Sequence, residues 1–125
     1  MRYLLLLYGE PVRPETLTPE QWQSVMEAHT TFHRELTEAG ALVDTSPLAP
    51  PTEARTIRLR RGERMVVDGP FAETKEVLGG YYLIEAESLA AGVQWAGRLR
   101  HDADGSIEVR PLLQLGVDSG PARSS

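Results

Sequence analysis

Two segments of this chain are apolar on both faces that a β-strand presents. In residues 2–8, Tyr3, Leu5 and Leu7 alternate with Leu4, Leu6 and Tyr8. In residues 80–86, Tyr82, Ile84 and Ala86 oppose Tyr81 and Leu83. Successive side chains of a strand point to opposite faces, and an antiparallel sheet with one wet face alternates polar residues there. A sheet built on these strands therefore needs cover on both sides. The rest of the sequence predicts only two helices, which can cover one. A second copy of the same sheet is the economical cover, so a two-fold homodimer with the sheets face to face is expected.

The remaining elements fall between clear breaks. Thr18 is a good N-cap, with Pro19 at the first helical position and Gln21 three residues after the cap. The helix it starts runs to about Ala39 and stops at Gly40. Residues 41–48 read as a strand, ended by Pro47, Pro50 and Pro51. Residues 56–60 and 65–67 alternate like a hairpin around Arg61-Gly62-Glu63. Asp68-Gly69-Pro70-Phe71 is a turn, and the polar stretch to Val77 is a loop or one helical turn. A strand over 80–86 follows. Ser88 caps a helix to about Arg100, and 106–113 form a last strand.

The order is β-α-β, hairpin, β-α-β. This predicts an α+β fold, a ferredoxin-like split βαβ sandwich with an inserted β-hairpin. With 125 residues there is material for one domain, taken as residues 1–116 with a flexible C-terminal tail over 117–125.

Charge narrows the function classes. The net charge is −5, yet five arginines and two glutamates between Glu53 and Arg64 make a local +3. The rest of the chain is therefore −8, which argues against nucleic acid or an anionic membrane as partner of the whole surface. The arginine hairpin could still meet a phosphate, a carboxylate or an acidic protein patch. The chain has no cysteine, which excludes disulfides, thiolate metal sites and a cysteine nucleophile. The apolar run from Tyr3 to Tyr8 is too short for a signal-peptide core or a membrane span, so a cytoplasmic protein is expected.

The first helix carries the best chemical clue. Trp22, Val25, Met26, Phe32 and Leu36 recur at helical spacing, and His29 sits in the middle of that stripe. His33, seven residues after Met26, faces nearly the same way. An imidazole among apolar neighbours must be hydrogen-bonded, and it titrates near neutral pH, which suits general acid–base catalysis. A tyrosine hydroxyl or a backbone carbonyl would equally satisfy it. His-Thr-Thr-Phe-His lacks the adjacent Glu of the zinc-protease motif and no third ligand is evident, so neither a metal site nor a cofactor is expected. Asp68 is the candidate carboxylate beside His29, to orient it or share its proton; an Asx turn closing the hairpin explains it as well. Weaker candidates for the carboxylate partner or pocket are Glu10, Glu76, Tyr8, Tyr82 and, for an anionic substrate, Arg110.

The stretch Val67-Asp68-Gly69-Pro70-Phe71-Ala72-Glu73-Thr74-Lys75-Glu76, followed by Leu78-Gly79-Gly80-Tyr81-Tyr82-Leu83-Ile84, closely resembles the signature of the YCII-related proteins of the DGPF type. The opening residues 1–9 and the closing Ser106-Ile107-Glu108-Val109-Arg110-Pro111 fit the same family, and the resemblance covers residues 1–116. It implies a ferredoxin-like fold assembled as a dimeric α/β barrel, in bacterial cytosolic proteins. In the broader group a helix histidine and an aspartate are the proposed active-site pair. Counted back from Gly40, that histidine is His29. The position after the first strand holds Glu10, whereas Asp68 belongs to the DGPF motif, so two carboxylates stay open. Relatives include dehydrochlorinases and muconolactone isomerases, which implies a small-molecule ligand and lyase or isomerase chemistry. Other DGPF-type proteins look like partners of extracytoplasmic-function sigma factors, which implies the alternative of a non-catalytic accessory or regulatory dimer.

Overall fold

The computed structural model describes residues 1–10, 17–70, 75–99 and 105–114. In chain order these form β1 (Arg2–Gly9), α1 (Pro19–Glu38), β2 (Leu42–Pro47), a 3-10 turn (Pro51–Glu53), β3 (Arg55–Arg60), β4 (Glu63–Asp68), β5 (Val77–Glu85), α2 (Leu89–Ala96) and β6 (Gly105–Pro111). Four strands make one sheet in the order β2-β5-β1-β6, antiparallel throughout, and β3-β4 make a second sheet of their own. This α+β arrangement, with β1 and β5 at the centre, is compatible with the split βαβ of a ferredoxin-like fold. The tail over 117–125 lies outside the described residues.

Helix α1 begins as its sequence dictates. Thr18 Oγ1 accepts from the Gln21 amide at 3.1 Å, and the Gln21 side chain accepts from the Thr18 amide at 2.9 Å, a reciprocal capping box. It ends at Gly40, whose φ of +71° lets the chain reverse. The Ala41 amide then reaches the Leu36 carbonyl at 2.9 Å, and that of Gly40 reaches Thr37 at 3.0 Å, the two bonds of a Schellman end.

One face of the sheet carries the core. Tyr3 and Leu5 of β1 and Tyr82 and Ile84 of β5 pack with Phe32, Leu36, Ala41 and Ala96. Leu5, Phe32, Leu36 and Ile84 are fully buried, and each such burial contributes about 1.5–3 kcal/mol. An ion pair between Arg98 and Glu35, 3.2 Å apart, links the end of α2 to α1.

Several expectations shift. The apolar stripe of α1 packs only in its second half, since Trp22 and Met26 are more than 40% exposed. Helix α2 ends at Ala96 rather than near Arg100: Gly97 favours helix poorly, and the amides of Arg98 and Leu99 bond three residues back instead of four. The hairpin turn is two residues, not three. Arg61 (φ +50°) and Gly62 (φ +83°) form it, so Glu63 joins β4. Strand β5 starts at Val77, three residues early, with a bulge opposite Leu7 and Tyr8 that absorbs Gly79. Strand β6 ends at Pro111, which cannot donate to a further ladder bond.

Candidate functional site

His29 lies in the middle of α1, half-buried, facing the sheet. Alternation along β5 sends Tyr82 to the same face, where it is 5% exposed. Nδ1 of His29 and the Tyr82 hydroxyl are 2.8 Å apart. The two ring planes differ by only 3°, with centroids 6.0 Å apart. A hydrogen bond between Nδ1 and the hydroxyl, with centroids that far apart, joins the rings edge to edge with parallel planes, so they are not stacked face on. Phe32 meets Tyr82 edge to face, with centroids at 4.8 Å and planes at 77°. This wall fixes the phenol, and the phenol fixes the imidazole.

Burial pushes the Tyr82 pKa up, against a smaller lowering by the Thr45 hydroxyl. Tyr82 is therefore a neutral phenol at physiological pH, able to donate as well as accept. The hydroxyl of Thr45 itself donates to the Tyr81 carbonyl at 2.8 Å, which holds β2 against β5 beside the pair.

The other expected residues disperse. Asp68, expected beside His29, pairs instead with Arg55 at 3.1 Å across the base of the hairpin, with its side chain 89% exposed. The Gly69 amide bonds the Ala54 carbonyl at 2.8 Å, closing that base. The Asp-Gly-Pro segment is thus turn chemistry here, and the Phe71–Thr74 part of the motif lies outside the described residues. His33 is exposed and does not face the sheet; its Nδ1 lies 3.5 Å from the Thr37 hydroxyl. Four residues of helix advance slightly more than one full turn, enough to carry it off the packed stripe. Glu10 is exposed beyond the end of β1. Glu76 accepts from the Ser106 hydroxyl at 3.4 Å.

Tyr8 and Arg110 belong to the opposite face of the sheet. Arg110 donates through Nε and Nη2 to Glu108, two residues along the same strand, and this carboxylate raises its pKa further. Tyr81 donates to the Asp44 carboxylate at 2.8 Å on that face, and the bond raises its pKa. Among the described residues no three His, Asp or Glu side chains gather as a metal cage. No described helix is long and apolar enough to cross a membrane.

Sequence reasoning offered a tyrosine hydroxyl as one partner for His29 but did not single out Tyr82. Tyr82 was legible as a pocket candidate from strand alternation, but a separation of 53 positions hides the pairing.

The sequence pattern of the YCII-related domain matches residues 1–115. An uncharacterised protein of Rhizobium meliloti (strain 1021) is 40% identical over 114 residues, spanning 90% of this chain and 92% of that protein. The chain belongs to the YCII-related family.

Proposed function

We propose that this YCII-related protein takes a small polar or aromatic molecule beside the His29–Tyr82 pair and moves a proton on it, in an elimination or an isomerisation. His29 is the general acid–base and Tyr82 the residue that positions it. The observation that carries this reading is the 2.8 Å contact between Nδ1 and the phenol. With the phenol oxygen accepting from Nδ1–H, Nε2 of the neutral ring takes a proton as a base, and the imidazolium so formed, its Nδ1–H still held by the phenol, returns a proton from Nε2 as an acid. One ring so held serves both halves of a proton transfer. The chain has no cysteine to act as a thiol nucleophile. The DGPF-type resemblance, with relatives acting on small aromatic and lactone substrates, supports the ligand class. Asp68, held by Arg55, serves the hairpin in this reading.

Amide NMR with benzoate, catechol and γ-butyrolactone as probes tests it. The His29 ring signals and the Thr45 and Tyr82 amides shift with at least one probe, and the shifts vanish in His29→Ala while the spectrum stays folded. Silence at these positions with all three probes, or undiminished shifts in the variant, overturns the reading.

The functional unit is a homodimer in which the open faces of two sheets meet. Both helices pack on the Tyr3–Tyr82 face, and the hairpin is a separate sheet, so Leu4, Leu6, Tyr81 and Leu83 face outward without either helix above them. Light scattering should give twice the chain mass of 13.8 kDa; the chain mass itself would refute the assembly.

A second reading draws on the hairpin. Ile57, Leu59 and Val66 are each more than half exposed there, among five arginines. An apolar strip in a basic frame suits an acidic protein partner, such as a sigma factor, and a non-catalytic accessory role. Binding of a purified extracytoplasmic-function sigma factor by the wild type, lost in Ile57→Asp/Val66→Asp, supports this; no binding removes it.

A further inference from the structure

The apolar stripe of α1 divides at His29. On its C-terminal side Phe32 and Leu36 are 1% and 0% exposed, whereas on its N-terminal side Met26 and Trp22 are 47% and 43% exposed. Val25 beside them is half-buried. At 3.6 residues per turn, Trp22, Val25, Met26 and His29 fall within about 100° of one another around the helix. Gln23, Ser24 and Glu27 take the opposite side. The apolar residues are thus confined to the stripe even where no core covers them. Single exposed apolar side chains are ordinary on a protein surface, but a contiguous strip that includes a tryptophan calls for an occupant.

The strip continues directly from the His29–Tyr82 pair. Strands β1 and β2 both run antiparallel to β5 and so parallel to each other, and α1 connects them, so it runs back against their direction. Its N-terminal half therefore lies toward the C-terminal ends of β1 and β2. On the helix-facing side of the sheet, Tyr82 stands in a row with Leu5 and Thr45, and the next row is Leu7, Gly80 and Pro47. Two residues of strand advance about 6.7 Å and four residues of helix about 6 Å. Val25 is thus about level with that second row, one step beyond the acid–base pair, and Trp22 lies one turn further out. Leu7 is half-buried there and Pro47, on the β2 edge, is exposed. The region is polar at one end, with His29, Tyr82 and Thr45, and apolar at the other. Seven residues of helix, about 10.5 Å of rise, separate Trp22 from His29.

Resting on the acid–base reading above, we propose that the open half of the stripe is the seat of the ligand's body, and that the ligand is an aromatic ring carrying a hydroxyl or carbonyl group. The ring lies over Val25 and Met26 with the Trp22 indole at its far end, and its oxygen meets the His29–Tyr82 pair. The indole offers an aromatic partner and the thioether an adaptable one. Trp22 and Met26 then select the ligand and take no part in moving the proton. A small saturated molecule would use the polar end alone and leave both side chains in water.

NMR titration with catechol and with γ-butyrolactone, which has no aromatic face, tests this. The chain has two tryptophans, so Trp95→Phe identifies the Trp22 indole N–H signal. Catechol should move that signal and the His29 ring signals along one saturation curve, and γ-butyrolactone should bind at least fivefold more weakly. Trp22→Ala should weaken catechol about fivefold or more, and Met26→Ala in the same direction, with both variants folded because neither side chain is packed in the core. If catechol moves the His29 signals but not the indole, and Trp22→Ala binds it as well as the wild type, the proposal falls and the acid–base reading stands. The same holds if γ-butyrolactone binds and catechol does not. Movement of the indole alone, with His29 silent, marks an adventitious contact and overturns the proposal. A changed particle mass for Trp22→Ala in light scattering marks the stripe as a subunit contact and also overturns it. Silence at His29 with every probe overturns both.

Discussion

His29 and Tyr82 lie 53 residues apart in the chain, yet their polar atoms are 2.8 Å apart and their ring planes nearly parallel. The geometry depends on three elements at once. Helix α1 sets the imidazole, the pleat of β5 sets the phenol, and Phe32, one turn after His29, closes the phenol's flank. The hydrogen bond is at once the satisfaction that a half-buried imidazole needs and the device that fixes its orientation.

Tyr82→Phe keeps the edge-to-face packing on Phe32 and removes the hydroxyl. It should lower stability by about 1 kcal/mol, the loss of one hydrogen bond with its partner left half-buried. Chemical denaturation measures this directly. The pH profile gives a second signature. Burial raises the folded-state pKa of Tyr82 above the ordinary tyrosine value of 10.0. Folding then takes up the proton more tightly than the unfolded chain, so this contribution is present in full below about pH 10. It is lost as pH rises from there through the folded value. Tyr82→Phe should flatten that alkaline loss in part. The remainder belongs to Tyr81, whose pKa is raised in the same direction by Asp44.

Leu36→Ala should cost about 2–5 kcal/mol, because Leu36 is fully buried between α1 and the sheet and its removal leaves a cavity. Met26→Ala, ten residues earlier on the same helix, should cost well under 1 kcal/mol, since Met26 is 47% exposed. Equal losses in urea melts would show that the apolar stripe packs along its whole length.

Gly105→Ala should be more damaging than its size suggests. A Cβ there would run into the Tyr8 carbonyl oxygen, a backbone atom of the neighbouring strand that cannot swing aside. A loss of about 2–3 kcal/mol is expected, with fraying of β6 from β1 seen as faster amide exchange at Ile107 and Val109. At Gly80 the nearest atom, the Ser46 carbonyl oxygen, would be 3.1 Å from the new Cβ. Gly80→Ala should therefore cost less than Gly105→Ala, and the reverse order would contradict the strand spacing.

Ile57→Asp and Val66→Asp, opposite each other on the hairpin, should leave thermal stability within about 0.5 kcal/mol of the wild type. Both side chains are more than half exposed and the hairpin is a sheet of its own. A loss of 2 kcal/mol or more in a melting experiment would mean that this surface is packed in solution.

Much of this architecture was written locally. The Thr18-Pro19-Gln21 cap, the Gly40 stop and the β-α-β, hairpin, β-α-β order depend on residues within a few positions of one another, so local rules read them correctly. The same holds for the assignment of Tyr82 and Tyr81 to opposite faces, which needs only the two-residue period of a strand. Boundaries were less legible. The early end of α2 and the early start of β5 are set by how the chain meets its neighbours, which local propensity does not encode.

The candidate site depended on tertiary structure for its pairing. From sequence, Asp68 was as good a partner for His29 as any other polar residue. Arg55, directly across the ladder from Asp68, takes that carboxylate instead, because strand register brings together residues 13 apart. Sequence alone determined that the imidazole of His29 would sit among apolar groups and need a hydrogen bond, since helical period and burial follow from residue type. Which atom would supply that bond was decided only when α1 crossed the sheet, because hydrogen bonds select by position in space and the hydrophobic effect that folds the chain does not.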